Sequence, residues 1–199
     1  KKAAKTAEST KGASPNTLAA YFRDMSSTAL LKPEEEVSLA KQLEQTELEL
    51  WAALLCYPAA TDFVLDELCK HLGQEVDDAV ATRKAAEKAK RSRRKIDRDL
   101  LDRSSRQLSP ILRGLDTDHE ARDRVIGYLK QLRDSGRARG KLPFAPASKA
   151  FHGYLGNIET LERRALRNCN KFVRANLGLV VSMARRYQRG GLPLSDLIQ

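Results

Sequence analysis

The sequence predicts an all-α fold, and three observations predict it. Apolar residues recur at i, i+3, i+4 and i+7 in one segment after another. No stretch of useful length alternates apolar and polar residues as a half-buried strand does. The 199 residues carry only five Phe, five Tyr and one Trp, few for a large β-sandwich. That length allows one or two domains with a sizeable buried core. The formal net charge of +10 points to an anionic partner, either nucleic acid, an acidic protein surface or an acidic membrane.

Taken in order, residues 1–14 are Lys, Ala, Ser, Thr and Gly with no core-forming pattern, and a disordered basic tail is expected. Asn16 suits an N-cap, and Leu18, Tyr21, Phe22 and Met25 then mark one face of a short helix. Ser26, Ser27 and Thr28 break it. Pro33 followed by Glu34, Glu35 and Glu36 is a helix start. Proline loses no needed N–H at a first helical position, and the carboxylates complement the positive end of the helix dipole. The stripe Val37, Ala40, Leu43, Leu50, Leu54 and Leu55 carries that helix to about Cys56.

Tyr57-Pro58 interrupts, and a second amphipathic helix follows from Thr61 to His71 with Phe63, Val64, Leu65 and Leu68. Residues 75–113 predict a helix with apolar positions at Ile96, Leu100, Leu101, Leu108, Ile111 and Leu112. Residues 119–133 predict another, through Val125, Ile126, Leu129 and Leu132. Two Gly and two Pro at 134–147 make a loop or hinge. Residues 150–188 form two helices or one long helix, with Val173, Leu177, Val180, Val181, Ala184 and Tyr187 on one face of the final stretch. Gly190-Gly191 is a helix stop, and Leu194 opens a further helix.

The charge is unevenly spread. Residues 15–82 hold four basic and thirteen acidic side chains, residues 83–113 twelve basic and four acidic, and residues 163–189 eight basic and none acidic. Opposed blocks of this kind suggest different partners for different parts. Cys56, Cys69 and Cys169 are odd in number and widely spaced, which fits free thiols in a reducing cytoplasm. No segment approaches the about 20 continuous apolar residues of a membrane span.

Catalytic and metal-binding patterns are missing from the sequence: no phosphate-cradling Gly-rich loop, no nucleophile elbow and no Cys/His zinc spacing. His71, His119 and His152 are isolated. The expectation is a non-enzymatic chain without cofactor or metal.

Two longer segments are more specific. One, NTLAAYFRDMSSTALLKPEEEVSLAKQLE, runs from Asn16 to Glu44; the other, KFVRANLGLVVSMARRYQRGGLPLSDLIQ, from Lys171 to Gln199. The chain resembles bacterial RNA polymerase sigma factors of the primary, housekeeping type at both. The Asn16–Glu44 segment resembles the family's region one-point-two. The Lys171–Gln199 segment resembles region two-point-one running into two-point-two. WAALLCYPAATDFVLDEL, from Trp51, resembles the stretch that follows region one-point-two. Residues 72–160 fall where the family has a variable insertion. The resemblance divides the chain into a tail at 1–14, region one-point-two and following helices at 15–71, a helical insertion at 72–160, and 161–199, which packs with 15–71 as sigma domain two.

The resemblance implies a promoter-specificity subunit that acts in transcription initiation. Such a subunit binds the clamp helices of core polymerase and the non-template strand of the −10 element and discriminator. Tyr21, Phe22 and Arg23 would lie near the discriminator. Asp24, Asn176, Leu179 and Ser182 would line the pocket for a flipped −10 base, with Asn and Asp supplying directional hydrogen bonds and Leu an apolar wall. Arg185 and Arg186 would serve phosphates, adding affinity and salt dependence without reading sequence. Asp196 and Gln199 match the start of the core-binding helix.

The residues themselves leave other roles open. Tyr21 and Phe22 also suit packing on a helix face, and Arg185 and Arg186 suit a solvated helix C-terminus. Gly178 and Ala19 stand where the family often has Arg, and Ser26 where it often has Gly, which bears on discriminator preference. The sequence stops just inside the core-binding helix, so the expectation is the front part of a longer factor. The alternative is a truncated sigma-like regulator that occupies polymerase or a partner without opening promoters. The basic stretch 83–113 has three candidate roles: following promoter DNA, contacting an acidic regulator or polymerase, or simply being a solvated helix.

Overall fold

The structure, a computed structural model, describes residues 32–92, 94–136 and 142–187, without the side chain of Arg185. The expectations for 1–31 and 188–199, including the short helix after Asn16, lie outside the described residues. Among those described there are six α-helices and no strand: α1 Pro33–Leu55, α2 Thr61–Leu72, α3 Val80–Arg91, α4 Lys95–Leu115, α5 Glu120–Ser135 and α6 Lys149–Tyr187. A single 3-10 turn, Asp77–Ala79, leads into α3. The chain divides into two compact units, residues 40–168 and residues 1–39 with 169–199.

Residues 40–168 form around one apolar core. It takes Leu50, Trp51, Leu54 and Leu55 from α1, Val64, Leu65 and Leu68 from α2, and Leu108 and Leu112 from α4. Val125, Ile126, Leu129 and Leu132 come from α5, and Phe151, Leu155 and Ile158 from α6. An aromatic group closes one side of it. Tyr57 stacks on Tyr154 at 5.1 Å between ring centroids, and Phe144 on Phe151 at 4.8 Å. Offset and edge contacts of this kind add to the area each ring buries.

The same group resolves the end of α1. A helix leaves its last carbonyls without intrahelical donors. The Tyr154 hydroxyl donates to the Leu54 carbonyl at 2.7 Å, and the Thr61 hydroxyl to the Leu55 carbonyl at 2.8 Å. These two bonds let the chain turn at Tyr57-Pro58 without burying orphan acceptors. Gly73 and Gly136 end α2 and α5 in the left-handed region, at φ 69° and 61°, and their N–H groups return to the Cys69 and Leu132 carbonyls. Glycine meets no Cβ penalty there. At the start of α5, the Asp116 carboxylate accepts from the N–H groups of Ala121 and Arg122 at 3.0 and 2.9 Å.

Several helices differ in detail from the expectation. The single helix expected over 75–113 is two, α3 and α4, separated at 92–94. On α4 the buried face is Asp97, Leu101, Ser104, Ser105, Leu108, Ser109 and Leu112, whereas Ile96 (71% exposed), Leu100 and Ile111 face outward. Ser104 and Ser109 hide in that face with their hydroxyls bonded within the helix, Ser104 to the Leu101 carbonyl and Ser109 to the Ser105 carbonyl, whereas the buried Ser105 hydroxyl has no hydrogen-bond partner among the described residues. Pro110 sits inside α4 without ending it. Pro110 and Arg106, whose carbonyl loses its donor, are both exposed, so solvent replaces the missing bond. On α1, Val37 and Ala40 are exposed, and the buried stripe runs Leu39, Thr46, Leu50 with Leu43 half-buried. Thr46 joins it because its hydroxyl donates to the Gln42 carbonyl and accepts from the Asn168 amide. Residues 149–187 are one helix of 39 residues.

In the other unit, the acidic start of α1 has the expected form. The Lys32 N–H donates to the Glu35 carboxylate at 2.9 Å, half of a capping box at the positive end of the helix dipole.

Candidate nucleic-acid interface

The described candidate residues lie on the C-terminal half of α6. Val181 (1% exposed) and Ala184 are buried there together with Gly178, at i, i+3 and i+6, and Leu177 is half-buried. At about 100° per residue, Asn176, Leu179, Ser182 and Arg186 occupy the opposite arc. Leu179 is 46% exposed, Asn176 and Ser182 are half-buried and Arg186 is exposed. One helix face thus packs, and the other presents an amide, an apolar wall, a hydroxyl and a cation. Val173, Val180 and Tyr187, expected on the packed face, are exposed. The tighter stripe of small residues and Val181 wins the buried side.

Asn176 is held by its helix. Its Nδ2 donates to the Phe172 carbonyl at 3.0 Å. That bond fixes the amide in the helix groove and leaves Oδ1 and the second amide hydrogen for an outside partner. An oriented acceptor and donor beside Leu179 suit the edge and face of an unstacked base. Arg186 lies near the C-terminus of a long helix, where the dipole favours a cation.

Two further residues join this face or its flank without having been singled out from the sequence. Met183 is 54% exposed and follows Leu179 by one turn. Lys171 is exposed, and no Asp or Glu lies within four residues of it. The i+4 spacing from Leu179 and the local absence of carboxylates are the signals that identify them. Gly178 belongs to the buried side, so an arginine at that position would not stand on the face that holds Asn176.

Of the remaining candidates, Tyr21, Phe22, Arg23, Asp24, Asp196 and Gln199 lie outside the described residues, as does the side chain of Arg185. No cluster of metal-ligating side chains occurs among the described residues, and no described helix is long and apolar enough to cross a membrane.

The strongly perturbed titratable groups belong to the packing of 40–168. Burial, then the neighbouring Asp102 carboxylate, pushes the Cys56 thiol up to about 11; its Sγ lies 3.6 Å from Asp102 Oδ1. Asp102 is itself held below the usual carboxylate range, chiefly by the Arg106 hydrogen bond at 2.8 Å. A protonated thiol under these conditions is a weak nucleophile. His119 lies 3.4 Å from Glu47, which Arg113 also holds at 2.7 Å, a bridge from the α4–α5 corner to α1.

Residues 16–49 match the Sigma-70 factor region 1.2 family. Over 42 residues, 21% of the chain, it is 55% identical to the RNA polymerase principal sigma factor HrdD of Streptomyces griseus, of which that stretch covers 13%. Over 28 residues it is 71% identical to the HrdD proteins of Streptomyces coelicolor and Streptomyces viridifaciens, covering 8% of each. The matched stretches therefore span a small part of those relatives' own length. No solved structure matches the chain.

Proposed function

We propose, from the match of residues 16–49 to the region 1.2 family and of short stretches to principal sigma factors, that the chain carries the N-terminal region of a primary-type sigma factor and serves bacterial RNA polymerase as part of the promoter-specificity subunit. In this role it is a binding module and not an enzyme, at work in the cytoplasm where transcription initiates. It docks on core polymerase and captures the non-template strand of the −10 element and discriminator. The region 1.2 match at 16–49 carries this reading, and the outward face of α6 supports it.

The division of labour follows from the chemistry. Asn176, with Asp24 and Ser182, hydrogen-bonds the edge of a flipped base, and Leu179 supplies its apolar wall. Arg185 and Arg186 neutralise phosphates and set the salt dependence. Tyr21, Phe22 and Arg23 meet the discriminator, where aromatic rings can stack on unpaired bases. Asp196 and Gln199 begin the core-binding helix. Residues 15–71 and 161–199 act together as one domain, and 72–160 is its insertion.

Affinity for a −10-like single strand against a scrambled one, measured with the chain bound to core polymerase, tests the proposal. The −10-like strand binds more tightly. Equal affinity for both would overturn the sequence-reading role.

A further inference from the structure

Another cationic surface lies in the 40–168 unit. Helix α3 buries Thr82, Ala85, Ala86 and Ala89 at i, i+3, i+4 and i+7, and Ala85, Ala86 and Ala89 cluster with Leu101 of α4. Small side chains on the packed face let the two helices approach closely. The turn between them is fixed at both ends. The Ser92 N–H donates to the Lys88 carbonyl at 2.9 Å, the Arg94 N–H to the Ser92 hydroxyl at 3.2 Å, and Lys88 bridges to Asp97 at 3.2 Å.

The outside of this hairpin is cationic. Residues 83–98 hold nine basic and two acidic side chains, a net of +7. Elsewhere in the unit Arg106, Arg113, Arg122, Arg124, Arg133 and Arg164 are paired with carboxylates, while Arg103, Arg163 and Arg167 are exposed without such a pair among the described residues. Lys84, Lys90, Arg94, Lys95 and Arg98 gather five such cations in one hairpin. They are exposed and form no salt bridge with a carboxylate among the described residues. A concentration of unpaired positive charge along one hairpin raises the free energy of the isolated chain through mutual repulsion, and a polyanion relieves it.

The composition of the hairpin says which polyanion. Residues 79–100 contain no aromatic residue on which a base could stack and no Asn or Gln to read a base edge. A single strand would find no stacking platform there. Duplex DNA needs none, because it offers about one phosphate per 1.7 Å of axis. The step along α3 from Lys84 to Lys90 spans about 9 Å, so several cations reach one backbone at once.

We propose that the α3–α4 hairpin is a sequence-independent contact for the phosphate backbone of duplex DNA, made by Lys84, Lys90, Arg94, Lys95 and Arg98. It rests on the reading above only for DNA being the polymer at hand.

The test compares the 199-residue chain with a variant carrying K84Q, K90Q, R94Q, K95Q and R98Q. Binding to a random-sequence duplex is titrated from about 50 to 200 mM salt, where each phosphate contact contributes about 0.9 to the log–log slope. The Gln variant binds at least about tenfold more weakly at the low-salt end, with a slope shallower by about 3 to 4. A charge-retaining variant (K84R, K90R, R94K, K95R and R98K) keeps the wild-type slope. An unchanged slope in the Gln variant overturns the proposal, as does an equal loss in the charge-retaining one. So does a Gln variant that loses binding to poly-glutamate yet keeps the duplex, which would mark an acidic-protein surface. The preference for a −10-like over a scrambled single strand is read in parallel. Its absence would count against the proposed function and leave the hairpin result standing.

Discussion

The two halves of α6 are made from the same helix but solve opposite problems. Its first half places Phe151, Leu155 and Ile158 at i, i+4 and i+7, all fully buried and stacked among aromatic neighbours. In its second half, Val173, Leu179, Val180, Met183 and Tyr187 stand 41–72% exposed, while Val181 and Ala184 are buried. Periodicity is equally strong in both. The difference lies in what surrounds them: rings and leucines from four other helices in the first case, a narrow small-residue stripe in the second. An apolar residue at helical spacing is therefore a statement about a face, and the neighbouring elements decide whether that face is core or presentation.

The sharpest way to break the contrast is to truncate one residue in each half. Phe151→Ala removes a buried ring from the stacked group and costs about 3–5 kcal/mol of unfolding free energy. Val180→Ala, on the presenting half, costs less than about 1 kcal/mol. Denaturant titration of both variants measures the difference, and equal losses would mean that the second half is core as well.

Alkaline pH sharpens the same point through Cys56. Its thiol is raised from an ordinary value near 9.0 to about 11, mainly by burial. A group whose folded pKa is raised contributes stability that is full below the unfolded value and lost as pH rises through the folded one. About two units correspond to roughly 2–3 kcal/mol. Unfolding free energy therefore falls by about 2 kcal/mol more in the wild type than in Cys56→Ala between pH 9 and 11. Parallel pH profiles would show that Cys56 ionises as freely in the fold as in the unfolded chain.

Much of this architecture was legible in the sequence. Pro33 with its three glutamates, the Tyr57-Pro58 break and the Val125–Leu132 stripe each signal a local rule, and each has its place in the fold. What was not legible depended on partners distant in sequence. Thr46, Ser104 and Ser109 are buried with their hydroxyls closed on their own helix, while Ile96 and Leu100 stand exposed among the described residues. The break at 92–94 carries no Gly or Pro to announce it; the alanine face of α3 folds back on Leu101 instead. At the site, the identity of Asn176, Leu179, Ser182 and Arg186 came from the motif. Their shared face, set against Val181 and Ala184, needed the burial pattern.

The central claim is that this outward face of α6 reads a base. Asn176→Ala tests it most directly, by equilibrium binding of core-bound chain to −10-like and scrambled single strands. The substitution should weaken the −10-like strand selectively, by about 1–3 kcal/mol for the loss of a good base contact. An equal loss on every sequence would contradict the claim and return Asn176 to a purely structural role in its helix.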